Sequence, residues 1–303
     1  MFSIAFEKLL PIFLFFGIGY ALQAFKLLKR DDALVLIKLV FYLMSPAVII
    51  LSVSQMKFSP TLIYYPISAI CIHICMFTIG KIIMHFKKLP PSEEKIFRGA
   101  TLIMNMTFIL PFFIVFFGEK NVYMLSIFDA GNLMIITTVV YSIFVSDEKT
   151  SMVERIKTVF KSPLVIALVI GIVLNISGVT LPKGIEHTVR EIAQVTGTLI
   201  MIGLGMYFTP RFSNLKLSLT IIFVKVVGIL IVGTIIGNIL PLDPMGKTMI
   251  ILGALSPVGN NVLTFTLIGK GDLELATNVV SLSIIISFIN LSIYFLTSTA
   301  LHI

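Results

Sequence analysis

Runs of apolar residues long enough to cross a bilayer follow one another along this chain with little more than a turn between them. A helix needs about 20 such residues to span a hydrocarbon core. We read ten spans, at 6–25, 33–53, 60–83, 97–117, 121–145, 163–180, 186–208, 216–239, 247–268 and 274–300. The connections leave no room for a soluble domain. Composition agrees: 57% of the 303 residues are hydrophobic and 13% charged, against roughly 45–50% and 25% in soluble domains. The ten-residue alternation of a membrane β-barrel is absent. The reading is an all-α integral membrane protein. The first span, PIFLFFGIGYAL, lacks a clearly positive leader because Glu7 stands beside Lys8, so a retained helix is expected rather than a signal peptide.

The net charge of +8 would suggest nucleic acid in a soluble protein. Here the basic residues lie between spans, and topology accounts for them. Fifteen Lys and Arg residues fall in the loops after odd-numbered spans and five on the other side. Positive charge marks the cytoplasmic side. Both termini are then expected outside the cell membrane, as an even span count requires. The polar stretch 146–162 carries Met152, Ile156, Val159 and Phe160 at helical spacing. It reads as an interfacial amphipathic helix or as an ordinary linker. It divides the chain into 1–145 and 163–303. These halves align at an offset of about 152, pairing Gly19 with Gly171 and Lys38 with Arg190. Five spans per half is odd, so the halves are expected to be inverted repeats, an arrangement found in secondary transporters.

Two spans at matching places are interrupted. The ninth contains GALSPVGNNVLTF (253–265), with Ser256, Pro257, Gly259, Asn260 and Asn261 in its middle. The fourth contains Asn105, Thr107 and Pro111. Proline removes a backbone donor, and in lipid the freed groups must be satisfied inside the protein or along a wet cavity. Paired broken helices point to a midplane binding site. Their free N-terminal amides suit an anion, so these eight residues are the expected substrate site.

Charges inside spans are costly and usually functional. Asp129, followed by Asn132, is a candidate for ion coupling, since a buried carboxylate can take up a proton near neutral pH; the plainer role is a structural bond to Asn132. Lys225 lies deep in the eighth span and calls for a cavity or a partner carboxylate. Lys38 is expected to snorkel, and Glu186 to pair with Arg190. Cys71 and Cys75 share a helix face from which His73 points away. They read as lipid-protected thiols rather than metal ligands. There is no glycine-rich loop ending in lysine, no HExxH and no GxSxG. Neither an ATP motor nor an enzyme is expected, and no cofactor beyond H⁺ or Na⁺ coupling.

LVFYLMSPAVIILSV (39–53), NMTFILPFFIVFFGEKNVYMLSIFDAGN (105–132) and LSPVGNNVLTFTLIGKGDLELATNVVSLSIIIS (255–287) resemble the auxin efflux carrier family. That family includes plant carriers and bacterial malate or malonate permease-like proteins. The likeness runs through essentially the whole chain. It implies ten helices in two inverted five-helix repeats, similar to the sodium–bile-acid symporter architecture, with helices 4 and 9 crossing at their breaks. It implies scaffold helices 1, 2, 6 and 7, transport helices 3–5 and 8–10, elevator movement of one set against the other, and a homodimer through the scaffold. Within the motifs it places Asn105, Pro111, Pro257, Asn260 and Asn261 at the substrate, a small organic anion. The chain departs from the plant carriers in its short linker. It also has Gly259-Asn260-Asn261 where many members carry smaller apolar residues. The short linker and Lys- and Ile-rich composition suggest a bacterial member. A channel or sensor using the same cavity is the alternative.

Overall fold

The computed structural model describes residues 2–145, 152–209 and 213–300. Fourteen helical segments account for nearly all of them, and the described residues contain no strand. In chain order they are α1 (Phe2–Ala24), α2 (Arg30–Ser54), α3 (Pro60–Phe86), α4 (Pro91–Ala100), α5 (Met106–Phe117), α6 (Glu119–Phe144) and α7 (Met152–Phe160). Then follow α8 (Pro163–Ser177), α9 (Lys183–Gln194), α10 (Thr196–Tyr207), α11 (Leu215–Ile239), α12 (Pro244–Leu255), α13 (Asn261–Ile268) and α14 (Leu273–Ala300). Among the described residues six helices (α1, α2, α3, α6, α11 and α14) are long and apolar enough to cross a membrane. Linker residues 146–151, with Lys149, and residues 210–212, with Arg211, lie outside the described residues.

The interruptions within these helices have local causes. Pro46 cannot supply an N–H to the ladder. The turn before it, Val40–Met44, relaxes into a π-helix, the register shift that such a gap favours. A second π-turn, Ile136–Val140, lies where the Thr137 and Thr138 hydroxyls bond back to the carbonyls of Leu133 and Met134, competing with backbone donors. The seventh span, expected as one helix, is two, meeting at Val195. The sixth ends at Ser177, because Gly178 takes the left-handed conformation at φ 67°. Glu186 and Arg190 do pair, at 2.8 Å. Lys38 is exposed.

Two groups of helices are evident in the packing. In one, α1 lies along α10, and α2 packs on α8, α9 and α10. The α1–α10 contact is close enough that a β-carbon on Gly19 would overlap the Ile202 carbonyl, and one on Gly205 that of Phe16. Small residues permit such approach between membrane helices. In the other group α3 packs on α6 and α11, and α11 on α12 and α14. The groups meet where α10 touches α5, α14 touches α1, and α6 touches α2 and α8. Exposed Phe6, Leu10, Leu14 and Ile18 give α1 an apolar outer face, as lipid contact requires. On α7, Val159 is buried, Ile156 half-buried and Phe160 exposed, with the helix resting on α6 and α8.

Candidate functional site

The fourth and ninth spans are both broken, by different means. In the ninth, the residue before a proline is driven into extended backbone. Ser256 stands at φ −63°, ψ 152°, so α12 stops at Leu255. In the fourth, the break precedes Pro111, which lies buried within α5. There Asn105 starts a new helix: its Oδ1 accepts the Phe108 N–H at 3.2 Å, an ordinary N-cap. Pro111 packs against Gly197 of α10.

The two breaks touch, and each satisfies groups freed by the other. The Asn105 N–H donates to the Ser256 hydroxyl at 3.0 Å and to the Pro257 carbonyl at 3.3 Å. Gly259 lies against Ile103 and Asn105. Neighbouring helices supply the rest. Ser283 of α14 accepts the Val258 N–H at 3.0 Å, and Asn132 of α6 donates to the Met104 carbonyl at 2.9 Å. Lys225 of α11 donates to the carbonyls of Gly253, Ala254 and Ser256 at 3.4, 3.2 and 2.5 Å. The partner that Lys225 called for is therefore backbone carbonyl. Among the described residues no carboxylate pairs with it.

Beside this crossing lies a small, partly open cavity of about 40 Å³. It is bounded by α2 and α8 from the first group and by α5 and α6 from the second. The wall is mostly apolar, with polar atoms from Ser45, Thr107, Ser126 and Asp129. An apolar wall with a few convergent polar groups is the lining typical of a small-molecule site. Met106 and Thr107, the first two residues of α5, form part of the wall, which puts the positive end of that half-helix at the cavity. Asp129 accepts a hydrogen bond from Asn132 Nδ2 at 2.7 Å. The cavity wall is thus one hydrogen-bond relay, through Asn132, from the Met104 carbonyl at the break.

Of the residues expected at the site, the structure places Thr107 and Asp129 on the cavity. Asn105, Ser256, Pro257 and Gly259 build the crossing behind it, with Asn132 and Lys225 bracing it. Pro111 is buried in packing, Asn260 is half-buried and Asn261 exposed. None of the residues 256–261 lines the cavity. Ser45 and Ser126 were not anticipated. Ser126 lies one turn before Asp129, on the same helix face, which was the available signal. His73 is buried and Cys75 exposed; the histidine bonds the Ala69 carbonyl.

A family described as membrane transport protein matches the chain in two stretches, residues 4–158 and 149–295. The chain belongs to this family of auxin-efflux-carrier-like transporters. No curated protein matches it. Membership makes it a membrane protein of a transporter family, not an enzyme family. The broken helices, with their touching interruptions and adjacent cavity, are then features of a transporter.

Proposed function

We propose that this transporter is a secondary carrier for a small organic anion, a carboxylate or auxin-like acid, bound in the cavity between α2, α5, α6 and α8. The observation that carries this reading is the position of the cavity. It lies between the two packing groups, beneath the start of a half-helix, so movement of one group past the other would carry its contents. The amides of the first turn of α5 and the hydroxyls of Ser45, Thr107 and Ser126 are suited to a carboxylate. Asp129 makes a second carboxylate in the same space, and two such groups at one site share a proton. Substrate would therefore enter with a proton, which makes Asp129 the coupling group. Ten spans in two inverted repeats, both termini outside the cell membrane, an elevator movement and a homodimer through α1, α2 and α8–α10 complete the reading.

The test is uptake into proteoliposomes of labelled malate, malonate, other dicarboxylates and indole-3-acetate, with and without imposed pH and Na⁺ gradients. Saturable uptake driven by the pH gradient, and no longer driven by it in Asp129→Asn, is expected. Saturable uptake with the variant still driven would leave a carrier in which Asp129 is structural. Flux rising linearly with concentration would make the protein a channel, and binding without flux a sensor.

A further inference from the structure

Lys225 is wholly buried in the middle of α11, with no carboxylate paired to it among the described residues. A charge so placed is expensive unless its surroundings replace both its hydration and its counter-charge. They do so here with backbone. The three carbonyls that receive its N–H groups belong to the end of α12 and the residue following it. A helix end leaves such acceptors orphaned, at the negative pole of the helix dipole. The Ser256 hydroxyl stands 3.5 Å from the same ammonium while accepting the Asn105 N–H. The ammonium, the end of α12 and the other broken helix are one bonded unit.

Carbonyls from the end of a half-helix, converging on one point at a crossing, are the ligand set with which transporters hold a monovalent metal cation. In this chain that set is already occupied by a side chain. The other half carries a buried nitrogen side chain at the equivalent position. His73 precedes Lys225 by 152 residues, the offset at which the halves align. It is buried in α3 near Asn132 and the Leu102 carbonyl just past the end of α4, but its Nδ1 bonds the Ala69 carbonyl of its own helix and its Nε2 has no hydrogen-bond partner among the described residues. Each broken helix thus meets a nitrogen side chain at the end of its first half.

We propose that Lys225 is a tethered cation, filling the cation site at the end of α12 so that no sodium ion is needed at the crossing. Its consequence for the transport cycle rests on the carrier reading above; the cation site itself does not. The test is accordingly thermal melting of the purified protein in detergent, which needs no substrate.

Wild-type protein is expected to melt at the same temperature in sodium chloride and in choline chloride of equal ionic strength. Lys225→Ala, which leaves the carbonyls facing an empty space, is expected to melt at least ~5 °C lower. Methylammonium or Na⁺ should recover part of that loss, and tetramethylammonium, too bulky for the space, should not. Stabilisation of the wild type by Na⁺, or a folded Lys225→Ala indifferent to every small cation, would overturn the proposal. Should Lys225→Ala fail to fold, Lys225→Gln retains a donor without the charge. It is expected to melt below wild type, and wild-type stability in that variant would equally overturn it. If the melting pattern holds while no anion is transported, the carrier reading fails and the tethered cation stands.

Discussion

Asn105 and Thr107 are two residues apart and do different work. The Asn105 side chain caps α5, and its backbone joins the breaks. The Thr107 side chain borders the cavity. Asn105→Ala should cost about 1 kcal/mol of stability through the lost cap, and Asn105→Ser should restore most of it. Thr107→Val keeps the shape and removes only the hydroxyl. A hydrogen bond to a charged group is worth roughly 1.5–3 kcal/mol, so binding should weaken about tenfold or more with melting unchanged. Calorimetric binding beside melting curves separates the two; a loss of binding in Asn105→Ala with unaltered melting would move Asn105 to the substrate. Sequence alone does not divide these roles. It shows that Asn and Thr stand near a break, but which amide is consumed in capping depends on where the new helix begins. The same limit applies to Lys225. Its depth was legible, but its partners are carbonyls freed by a break 28 to 31 residues further on, and every residue has a carbonyl. Asn260 and Asn261 drew notice as polar residues in an apolar run. Neither lines the cavity.

At the scale of elements, both breaks were legible in the residues themselves, whereas their crossing was expected only from the family resemblance. Ser256-Pro257 ends a helix by local sterics, and a proline in an apolar run reports that directly. The hydrogen bonds from Asn105 to Ser256 and Pro257 join residues about 150 apart, and no local pattern encodes them. Near the unexpected joint at Val195, α10 carries Gly197 against Pro111, another contact that no local pattern encodes. α12 is fixed at its other end by Asp243. That carboxylate accepts the Gly246 N–H at 2.7 Å and the hydroxyl of the buried Tyr65 of α3, also at 2.7 Å. Asp243→Asn can keep the cap, whereas Asp243→Ala loses it and leaves the Tyr65 hydroxyl unpaired. Together these should cost about 2–4 kcal/mol. Melting should fall in the order wild type, Asp243→Asn, Asp243→Ala. Equal melting of Asp243→Ala and wild type would show that α12 is positioned by packing alone.

For the whole molecule, the decisive geometry is that one cavity has walls from both packing groups. α2 and α8 pack with α1 and α10, while α6 packs with α3 and α5. A carrier that moves one group past the other must break the α2–α6 and α8–α6 contacts in each cycle. A channel or sensor need not. Ser45 of α2 and Ser126 of α6 face the same cavity from opposite groups, which makes them the pair to tether. With Cys71 and Cys75 replaced by serine, Ser45→Cys and Ser126→Cys together should accept a short bifunctional thiol reagent. The cross-link is expected to stop saturable uptake in proteoliposomes, and cleavage of a reducible linker to restore it. Each single cysteine treated alike should retain most uptake, which separates arrest of motion from simple blockage of the cavity. Undiminished uptake by fully cross-linked protein would mean that α2 and α6 stay together through the cycle, and that access alternates by smaller movements within one group.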